Sequence, residues 1–441
     1  MRGSFNRKLI FVIISFTCVF CYFTFFYGLL EQEDYAQKLQ VKQIKDLHDK
    51  MDKVSKNLKE NQSFLDKLHR HFEVVIAKEA KVLQNLTTLT AIKPQKLPSR
   101  VTIPVLVLVY NRPSVSRCLD LLLKYKKTVN ADFPIVVSQD GNHQETTNVI
   151  QTYGQQISHF KHPDEPVNLP SKQRHMMGYY KISSHYKWAI SQVFQHFSSA
   201  ETLIIVEDDL EISPDFFSYF FALYDLFMKD QSLYCVSAWN DNGKQGLIDE
   251  SGNNILYRSD FFPGLGWMLK KSTWMEWKEK WPSAYWDDWV REPSQRKERA
   301  CIRPEISRTK TFGKIGVSNG QFYEKHLKHI ILNSVVVDWA DVDLSYLNKV
   351  KYDKEFLKKV YKSPLISLQS LQTQTFPPSS TLRLEYIDTS SFVNCAKILG
   401  VMEDFKAGVA RTAYHGVVTV IHHSRRIYIA PKQPWSGYNP R

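Results

Sequence analysis

The 441-residue chain contains only six cysteines, and their spacing excludes the common zinc-binding modules. Cys18 and Cys21 form the only CxxC pair, and this pair lies in an apolar segment, so we expect no zinc site. An RNA-recognition signature is also missing. The formal charge of +13 is concentrated near the N-terminus, where residues 1–100 hold 17 Lys and Arg against 10 Asp and Glu. Because the other basic residues are dispersed, we expect no nucleic-acid partner.

Charged residues are absent from Leu9 to Leu30, a stretch of 22 residues rich in Phe, Ile and Val. As a helix it would span a hydrocarbon core of about 30 Å. Arg2, Arg7 and Lys8 precede it, so the positive-inside rule predicts a cytosolic tail at 1–8, a signal anchor at 9–30 and a lumenal remainder. A cleaved signal peptide is the alternative, although its apolar region is normally shorter and ends at small residues.

The lumenal orientation places the four remaining cysteines in an oxidising compartment. They are Cys118, Cys235, Cys301 and Cys395. Four cysteines allow three complete pairings, and their spacing does not choose among them.

Glycine and proline are absent from residues 35–90, where apolar residues recur at alternating steps of three and four. This heptad pattern predicts a coiled-coil-like stem, with a linker, over residues 31–100 and possible self-association through it. The apolar positions are Ile44, Leu47, Met51, Val54, Leu58, Leu65, Leu68, Phe72, Val75, Val82 and Leu86. A solitary, partly helical spacer is the alternative.

Two polar residues, Asn61 and Glu79, interrupt the heptad pattern. Asn61 also begins a glycosylation sequon, and Asn85 begins a second one. A glycan cannot occupy a buried seam. Either Asn61 is an unglycosylated residue that sets the register, or the coil is interrupted there.

From residue 101 onwards, strand patterns alternate with helix patterns, which predicts an α/β fold with a parallel sheet. Strands are predicted at Val101–Val109, Phe133–Ser138, Ile157–Lys161 and Thr202–Val206, and helices at Arg112–Tyr125, Glu145–Tyr153 and Tyr179–Phe197. The last helix should bury Ile182, Ala189, Val193, Phe194 and Phe197. Further strands are predicted at Thr381–Tyr386 and Val417–Ile429. We divide this part into a catalytic domain at 101–313, a loop and linker at 314–350, and a smaller α+β domain at 351–441.

Three consecutive acids, Glu207, Asp208 and Asp209, follow the strand at Thr202–Val206. Ligands of open α/β sheets bind just beyond the carboxyl ends of such strands. Crowded carboxylates need a counter-charge, and a hard divalent cation that also binds phosphate supplies one. The alternative is an acidic loop that caps the helix starting near Ser213.

Three further residues are candidates for the same crevice. Asp140 follows the second strand and could accept a hydrogen bond from a base or ribose, although an Asx-turn before Gly141 is the simpler explanation. Arg112 follows the first strand and could pair with phosphate, or be a surface arginine in a turn. His185, on the helix before the acids, is more often a structural histidine in such a position.

Seven of the ten tryptophans lie between Trp239 and Trp289, and the segment Tyr285–Trp289 places Asp287 and Asp288 among aromatic rings. Aromatic rings stack on sugar faces, and a carboxylate beside an apolar wall becomes a better base. The alternative is an ordinary acidic first turn of a helix. Taken together, the acids, the crevice, the aromatic segment and the lumenal location predict a sugar-nucleotide glycosyltransferase.

Long motifs, found in order from about residue 102 to residue 430, closely resemble the N-acetylglucosaminyltransferase I family (glycosyltransferase family 13). They are Val206–Phe217, Ser237–Gly243, Asp260–Trp267, Tyr285–Trp289, Cys301–Arg308 and Arg411–Tyr414. The anchor and stem match in layout only. The resemblance implies a GT-A fold, with a Rossmann-like nucleotide-binding domain and a smaller C-terminal domain. It also implies a Golgi enzyme that uses Mn²⁺ to transfer GlcNAc from UDP-GlcNAc, with inversion, to the α1,3-arm mannose of the Man5GlcNAc2 N-glycan.

The resemblance also implies roles for individual residues. Asp209 should be the direct metal ligand, Glu207 and Asp208 should support the metal and the donor, and Asp287 should be the general base. Donor contacts are implied for Arg112, Asp140, His185 and Ser318, the last in a mobile loop with two glycines. Cys235 and Cys301 should form a disulfide, which leaves Cys118 and Cys395 free or unassigned.

One departure from the family lies at the donor site. Animal members carry cysteines at the positions of Tyr110 and Gly141, and these form a bridge beside the uridine. Both are absent here, so the bridge is lost as a unit, and with it one source of donor-site rigidity.

Two other functions remain open from the sequence. A protein O-mannose β1,2-N-acetylglucosaminyltransferase would use the same donor, but would carry an extra lumenal carbohydrate-binding domain where this chain has a heptad stem. An inactive, lectin-like relative is disfavoured because Glu207–Asp209 and Asp287 are intact.

Overall fold

The computed structural model describes residues 18–24, 28, 44–59, 61–63, 66, 101–126, 129, 131–163, 167, 169–314, 316–317, 320 and 322–439. These fall into two compact units, Met1–Pro98 and Ser99–Arg441. In the first unit, residues 44–59 are helical, and their apolar positions are exposed. Most of the predicted anchor at 9–30, the stem beyond Asp66 and the linker lie outside the described residues. Among the described helices, none combines the length and apolar character needed to cross a bilayer.

The second unit is built around an eight-stranded mixed sheet with the order β3-β2-β1-β4-β8-β6-β9-β7. Its strands are β1 Val105–Val109, β2 Ile135–Gln139, β3 Ser158–Lys161, β4 Thr202–Glu207, β6 Leu233–Ser237, β7 Leu256–Ser259, β8 Trp267–Lys270 and β9 Ala300–Pro304. The first four strands are mutually parallel, as predicted. Beyond them, β8 runs antiparallel to both β4 and β6, and β7 runs antiparallel to β9. The central sheet is therefore mostly parallel, as expected, with antiparallel strands in its second half.

Helices cover both faces of this sheet. They are α1 Val115–Tyr125, α2 Gln144–Gln151, α3 Met177–His196, α4 Phe216–Lys229, α5 Lys271–Trp277, α6 Trp286–Arg291 and α7 Pro293–Arg296. Alternate residues of β1 enter different cores, because successive side chains of a strand point to opposite faces. Val105 and Val107 pack with α1 and α4, whereas Leu106 and Leu108 pack with α3 and the tryptophan-rich segment.

Two predicted details of these helices are wrong. The first helix begins at Val115 and not at Arg112, because Pro113 disfavours helical geometry in the residue before it. Ile182 of α3 is 37 % exposed and is not a core residue. Ala189, Val193 and Phe194 are buried, as expected.

The C-terminal part contains α8 Lys349–Lys362, α9 Leu368–Thr373, β11 Thr381–Tyr386, α10 Thr389–Leu399, β12 Phe405–Lys406, β13 Val409–Ala410, β14 Val418–His422 and β15 Arg425–Pro431. A sheet of order β11-β15-β14 lies over its own apolar core. The single strand predicted at Val417–Ile429 is wrong, since it is a hairpin that turns at His423 and Ser424 with φ of +46° and +62°. The predicted domain boundaries within 101–441 stay predictions.

The remaining elements are short. The strands β5 Leu210–Ile212 and β10 Thr309–Thr311 pair antiparallel beside the main sheet. Short 3₁₀ helices occur at Gly154–Gln156, Ser171–Met176, Lys278–Lys280, Leu327–His329, Trp339–Asp341 and Ser345–Leu347.

Candidate active site

The strand order fixes where a ligand would bind. From β1 the chain continues to β2 and β3 on one side and then returns to place β4 on the other side. The carboxyl ends of β1 and β4 therefore lie at the topological switch point, where open α/β sheets hold their ligands. Arg112 follows β1, Glu207 ends β4, and Asp208 and Asp209 follow it, so these predicted site residues lie at this edge of the sheet.

The acidic stretch is balanced by one arginine. Nη1 of Arg112 lies 2.7 Å from Oδ1 of Asp208 and 2.5 Å from Oδ2 of Asp209. Burial raises the pKa of Asp208 to about 6, although Arg112 opposes the shift. Burial and the neighbouring charge of Asp209 raise the pKa of Glu207 to about 7. A bound cation or a proton would therefore stabilise these buried carboxylates.

Asp209 is approached closely by the chain that follows β10. The N–H of Phe312 donates to the carbonyl of Asp209 at 2.9 Å. A methyl group added at Gly313 would lie 2.0 Å from Oδ2 of Asp209, so only glycine fits there. Further along, a methyl group added at Gly316 would lie 3.5 Å from Nη2 of Arg112. Ser318, the predicted loop contact, lies outside the described residues.

Asp140 and His185 lie together at the end of β2. Oδ1 of Asp140 is 2.8 Å from Nδ1 of His162, whose ring stacks on His185 with 5.2 Å between ring centroids. Nε2 of His185 is hydrogen-bonded to Oγ of Ser138 at 2.7 Å, and burial lowers the pKa of His185 to about 4. His185 is thus neutral at physiological pH and offers a polar ring without a charge.

His162 was missed by the sequence analysis. It directly follows β3, the third parallel strand, so its position at a strand's carboxyl end was the available signal. Burial would raise the pKa of Asp140, but the hydrogen bond to His162, together with nearby basic side chains, outweighs burial and holds that pKa below its usual range.

Asp287 and Asp288 lie in the first turn of α6 and share Arg291. Nη1 of Arg291 is 2.7 Å from Oδ2 of Asp287 and 2.9 Å from Oδ1 of Asp288. Asp288 also accepts a hydrogen bond from Lys406 at 3.0 Å. Burial raises the pKa of Asp288, but Lys406 and Arg291 outweigh it and lower the pKa. Within the described part of the chain, Asp287 pairs with Arg291, whereas Asp288 pairs with both Arg291 and Lys406, and the side chain of Asp287 is 45 % exposed.

Tyr186, a second residue that the sequence analysis missed, joins the two groups of acids. Its hydroxyl donates to Oε1 of Glu207 at 2.6 Å, and its ring stacks on Trp286 at 4.3 Å, next to Asp287. Burial and then the charges of Glu207, Asp287 and Asp209 raise the pKa of Tyr186 well above its usual value. Tyr186 therefore lies between the two groups of acids, in contact with Glu207 on one side and with the neighbour of Asp287 on the other. Both groups border the same crevice.

Among the described residues there is no cluster of three or more His, Cys, Asp or Glu side chains arranged to hold a metal. A site that combines one or two carboxylates with a phosphate ligand does not require such a cluster. Asp208 and Asp209 offer only oxygen atoms as ligands, and both already pair with the positive charge of Arg112. Carboxylates of this kind suit a hard divalent ion.

The disulfide implied by the resemblance is present. Cys235 of β6 and Cys301 of β9 are bonded across neighbouring parallel strands, with 4.6 Å between their Cα atoms. Cys118 and Cys395 are buried free thiols.

Fold and site together define an α/β enzyme whose acid-lined crevice lies at the switch point of the sheet. The model of the GNT-I family matches residues 7–441. The alpha-1,3-mannosyl-glycoprotein 2-beta-N-acetylglucosaminyltransferase of Arabidopsis thaliana is 42% identical over 317 residues, which cover 71% of this chain and 70% of that protein. The chain therefore belongs to the GNT-I family and is a glycosyltransferase.

Solved structures show a more distant likeness. The Pyrobaculum calidifontis mannosyltransferase PcManGT in complex with GDP-Man and Mn²⁺ has a TM-score of 0.28 at 14% identity, covering 42% of this chain and 50% of that one. Staphylococcus aureus TarS 1–349 in complex with UDP-GlcNAc has a TM-score of 0.27 at 14% identity, covering 40% and 47%. The chain thus spans about half the length of these structures, and its family membership rests on the sequence matches.

Proposed function

We propose that this glycosyltransferase transfers GlcNAc from UDP-GlcNAc to the 2-hydroxyl of the α1,3-arm mannose of the Man5GlcNAc2 N-glycan, with inversion. The observation that carries the proposal is that Tyr186 donates to Glu207 and stacks on Trp286, the neighbour of Asp287, in a member of the GNT-I family. The relative from Arabidopsis thaliana is named as a 2-beta-N-acetylglucosaminyltransferase of an alpha-1,3-mannosyl glycoprotein. The first acidic group suits the donor diphosphate, and the second suits the acceptor hydroxyl.

Asp287 is proposed as the general base. Its carboxylate would take the proton of the mannose 2-hydroxyl while that oxygen attacks the anomeric carbon in line. Arg291 orients the carboxylate through the 2.7 Å contact and is therefore a positioning residue. Because Asp287 has fewer cationic partners than Asp288, its lone pairs are more available for a proton.

The donor would lie along the carboxyl ends of the parallel strands. Asp140 and His185 would contact uracil, and Arg112 and Asp208 would face the diphosphate, with Ser318 in a loop that folds over it. Asp209 would hold Mn²⁺, with support from Glu207 and Asp208. When bound, the cation neutralises the charge that develops on the leaving UDP.

The protein is further proposed to be a type II Golgi membrane protein of GT-A architecture, anchored by residues 9–30. The apolar stretch and its flanking charges support this orientation. The exposed apolar positions of the helix at 44–59 support self-association through the stem.

One assay separates the candidate functions. The full chain in detergent is incubated with UDP-GlcNAc and either the Man5GlcNAc2 glycan or an O-mannosyl peptide, with Mn²⁺ or with excess EDTA. We expect transfer to the glycan only, lost in EDTA and restored by Mn²⁺. Transfer to the peptide alone would identify the O-mannose enzyme, and no transfer to either acceptor would favour an inactive, lectin-like relative. Full activity in excess EDTA would refute the metal assignment.

A further inference from the structure

The C-terminal part of the chain reaches the proposed base site, although none of the roles assigned above uses it. Strands β12 and β13 form a hairpin that turns at Ala407 and Gly408, with φ of +48° and +78°. From this hairpin, Nζ of Lys406 donates to Oδ2 of Asp288 at 3.0 Å. Asp288 is the neighbour of Asp287, the proposed base, so the hairpin borders the surface where the acceptor hydroxyl would lose its proton.

Two sets of contacts hold the hairpin in place. Phe405 packs edge-on against Phe392 of the C-terminal core, with 5.0 Å between ring centroids. Arg411, which follows β13, binds Asp404 through Nε at 2.9 Å. Nη1 of Arg411 also lies 2.6 Å from Oδ1 of Asp241, a buried residue in the loop after β6. The hairpin is therefore tied both to its own core and to the catalytic sheet.

The ion pair between Lys406 and Asp288 is too exposed to be the contact that holds the hairpin. Its side chains are 38 % and 41 % exposed, and ion pairs in contact with water contribute little to stability. An ammonium group has three N–H donors. Within the described part of the chain, Asp288 accepts one of them, so the other two can donate to a ligand.

The surface beside Asp287 also contains an exposed aromatic ring. Tyr285 is 41 % exposed, and its ring stacks on Tyr179 with 4.6 Å between centroids. The φ of Tyr285 is +52°, a left-handed geometry that costs energy in a tyrosine and that clusters at functional sites. An aromatic face, a carboxylate and an ammonium group together suit a ligand that has apolar faces and many hydroxyls, as a sugar has.

We infer that Lys406 is an acceptor-binding residue, whose ammonium group donates to a hydroxyl of the acceptor glycan while Asp288 orients it. The inference rests on the proposed function for the identity of the acceptor. Because Asp288 separates Lys406 from Asp287, the hydroxyl that Lys406 binds is not the one that reacts. Lys406 therefore contributes to acceptor affinity, and the chemical step is left to Asp287.

The test measures binding of Man5GlcNAc2 to the full chain in detergent by calorimetry, with UDP and Mn²⁺ present so that no transfer occurs. Lys406→Met should weaken glycan binding about tenfold, the effect of one charge-assisted hydrogen bond. Lys406→Arg, which keeps the charge and the N–H donors, should stay within about threefold of wild type. In the transfer assay, Lys406→Met should raise KM for the glycan about tenfold, and should leave kcat and the KM for UDP-GlcNAc within about threefold of wild type.

Two further variants show whether the effect belongs to this ion pair. Lys406→Met combined with Asp288→Asn should bind the glycan no more weakly than Lys406→Met alone, because Asp288 acts through Lys406. Lys397→Met is the matched control, since it also removes an exposed lysine of the C-terminal part from an ion pair, with Glu403 at 3.8 Å. Lys397→Met should bind the glycan as wild type does, and both single Met variants should unfold at the same urea concentration.

The inference is overturned if Lys406→Met binds the glycan within about twofold of wild type, if Lys406→Arg is as weak as Lys406→Met, or if Lys397→Met loses as much affinity. A parallel rise in the KM for UDP-GlcNAc would also overturn it, as would a wild-type protein that does not bind the glycan. Binding is scored without transfer, so the two proposals fail separately. A wild-type protein that binds the glycan but transfers no GlcNAc would refute the proposed function, and the Lys406 comparison would still be decided by affinity.

Discussion

The carboxylates of this crevice occur in pairs, and both members of a pair contact the same arginine. Arg112 serves Asp208 and Asp209, and Arg291 serves Asp287 and Asp288. At the first pair, one positive charge faces two carboxylates, and the net negative charge that remains favours a bound cation. At the second pair, Lys406 adds a second positive charge beside Asp288, which leaves Asp287 as the carboxylate with fewer cationic contacts.

The division of labour within the second pair can be tested. Asp287→Asn should reduce transfer by about 10²–10⁴-fold, the range expected for a lost general base, and leave UDP binding unchanged. Asp288→Asn is the matched control, since it removes the same charge from the same turn. It loses the link to Lys406 but should reduce transfer less than about tenfold, because the proposed base is intact. Equal losses of kcat with Man5GlcNAc2 in the two variants would refute the assignment of Asp287 as the general base.

Elements with strong local signals were predicted well from the sequence, and elements that depend on distant contacts were not. The strand at Thr381–Tyr386 and the buried face of α3 follow from local alternation and helical periodicity. The hairpin at His423 and Ser424 was missed because neither residue is the glycine or asparagine that normally marks a left-handed turn. The antiparallel direction of β8 depends on its pairing with β4 and β6, which no local pattern encodes.

The candidate site divides in the same way, into residues that local signals predicted and residues whose roles depend on distant contacts. The positions of Arg112 and Glu207–Asp209 follow from parallel strands that end at one edge. Tyr186 and His162 were missed because their roles depend on contacts across the fold, with Glu207 and Asp140 respectively. The roles of single acids, and the pairing of Cys235 with Cys301, came from the family resemblance and not from spacing.

The disulfide joins two elements that already pair, so its contribution can be separated from that of the sheet. Cys235 and Cys301 are fully buried and lie opposite each other on β6 and β9. Replacing both by Ala should lower the free energy of unfolding in urea by about 2–5 kcal/mol, because the unfolded chain loses a closed loop. Cys395→Ala is the control, since it removes a buried thiol without opening a bridge. A loss no larger than that of Cys395→Ala would show that strand pairing alone holds this region.

At the scale of the whole catalytic unit, stacked aromatic rings connect the two halves of the crevice. Trp286 stacks on Tyr186 at 4.3 Å and on Trp281 at 5.7 Å, and Tyr186 contacts Glu207. Most tryptophans of this segment are buried, so it acts mainly as a rigid support. Under the proposed function, such packing would fix the separation between Asp287 and Glu207–Asp209, which an in-line displacement requires.

The stem supports a prediction about assembly. In the described helix at 44–59, five apolar side chains at heptad spacing are between 58 % and 67 % exposed: Ile44, Leu47, Met51, Val54 and Leu58. A two-stranded coiled coil would bury them against the same stripe of a second copy. We expect residues 31–441 to sediment as an oligomer at micromolar concentration, and a variant with Leu47, Met51, Val54 and Leu58 changed to Ser to sediment as a monomer. Asp49→Ser with Lys56→Ser, on the opposite face of the helix, should leave the oligomer intact.

Because the catalytic unit at 99–441 is compact by itself, all three proteins should have the same kcat. A monomeric parent protein would show that the stem is a solitary spacer, and a fall of kcat in the monomer would show that assembly also serves the active site.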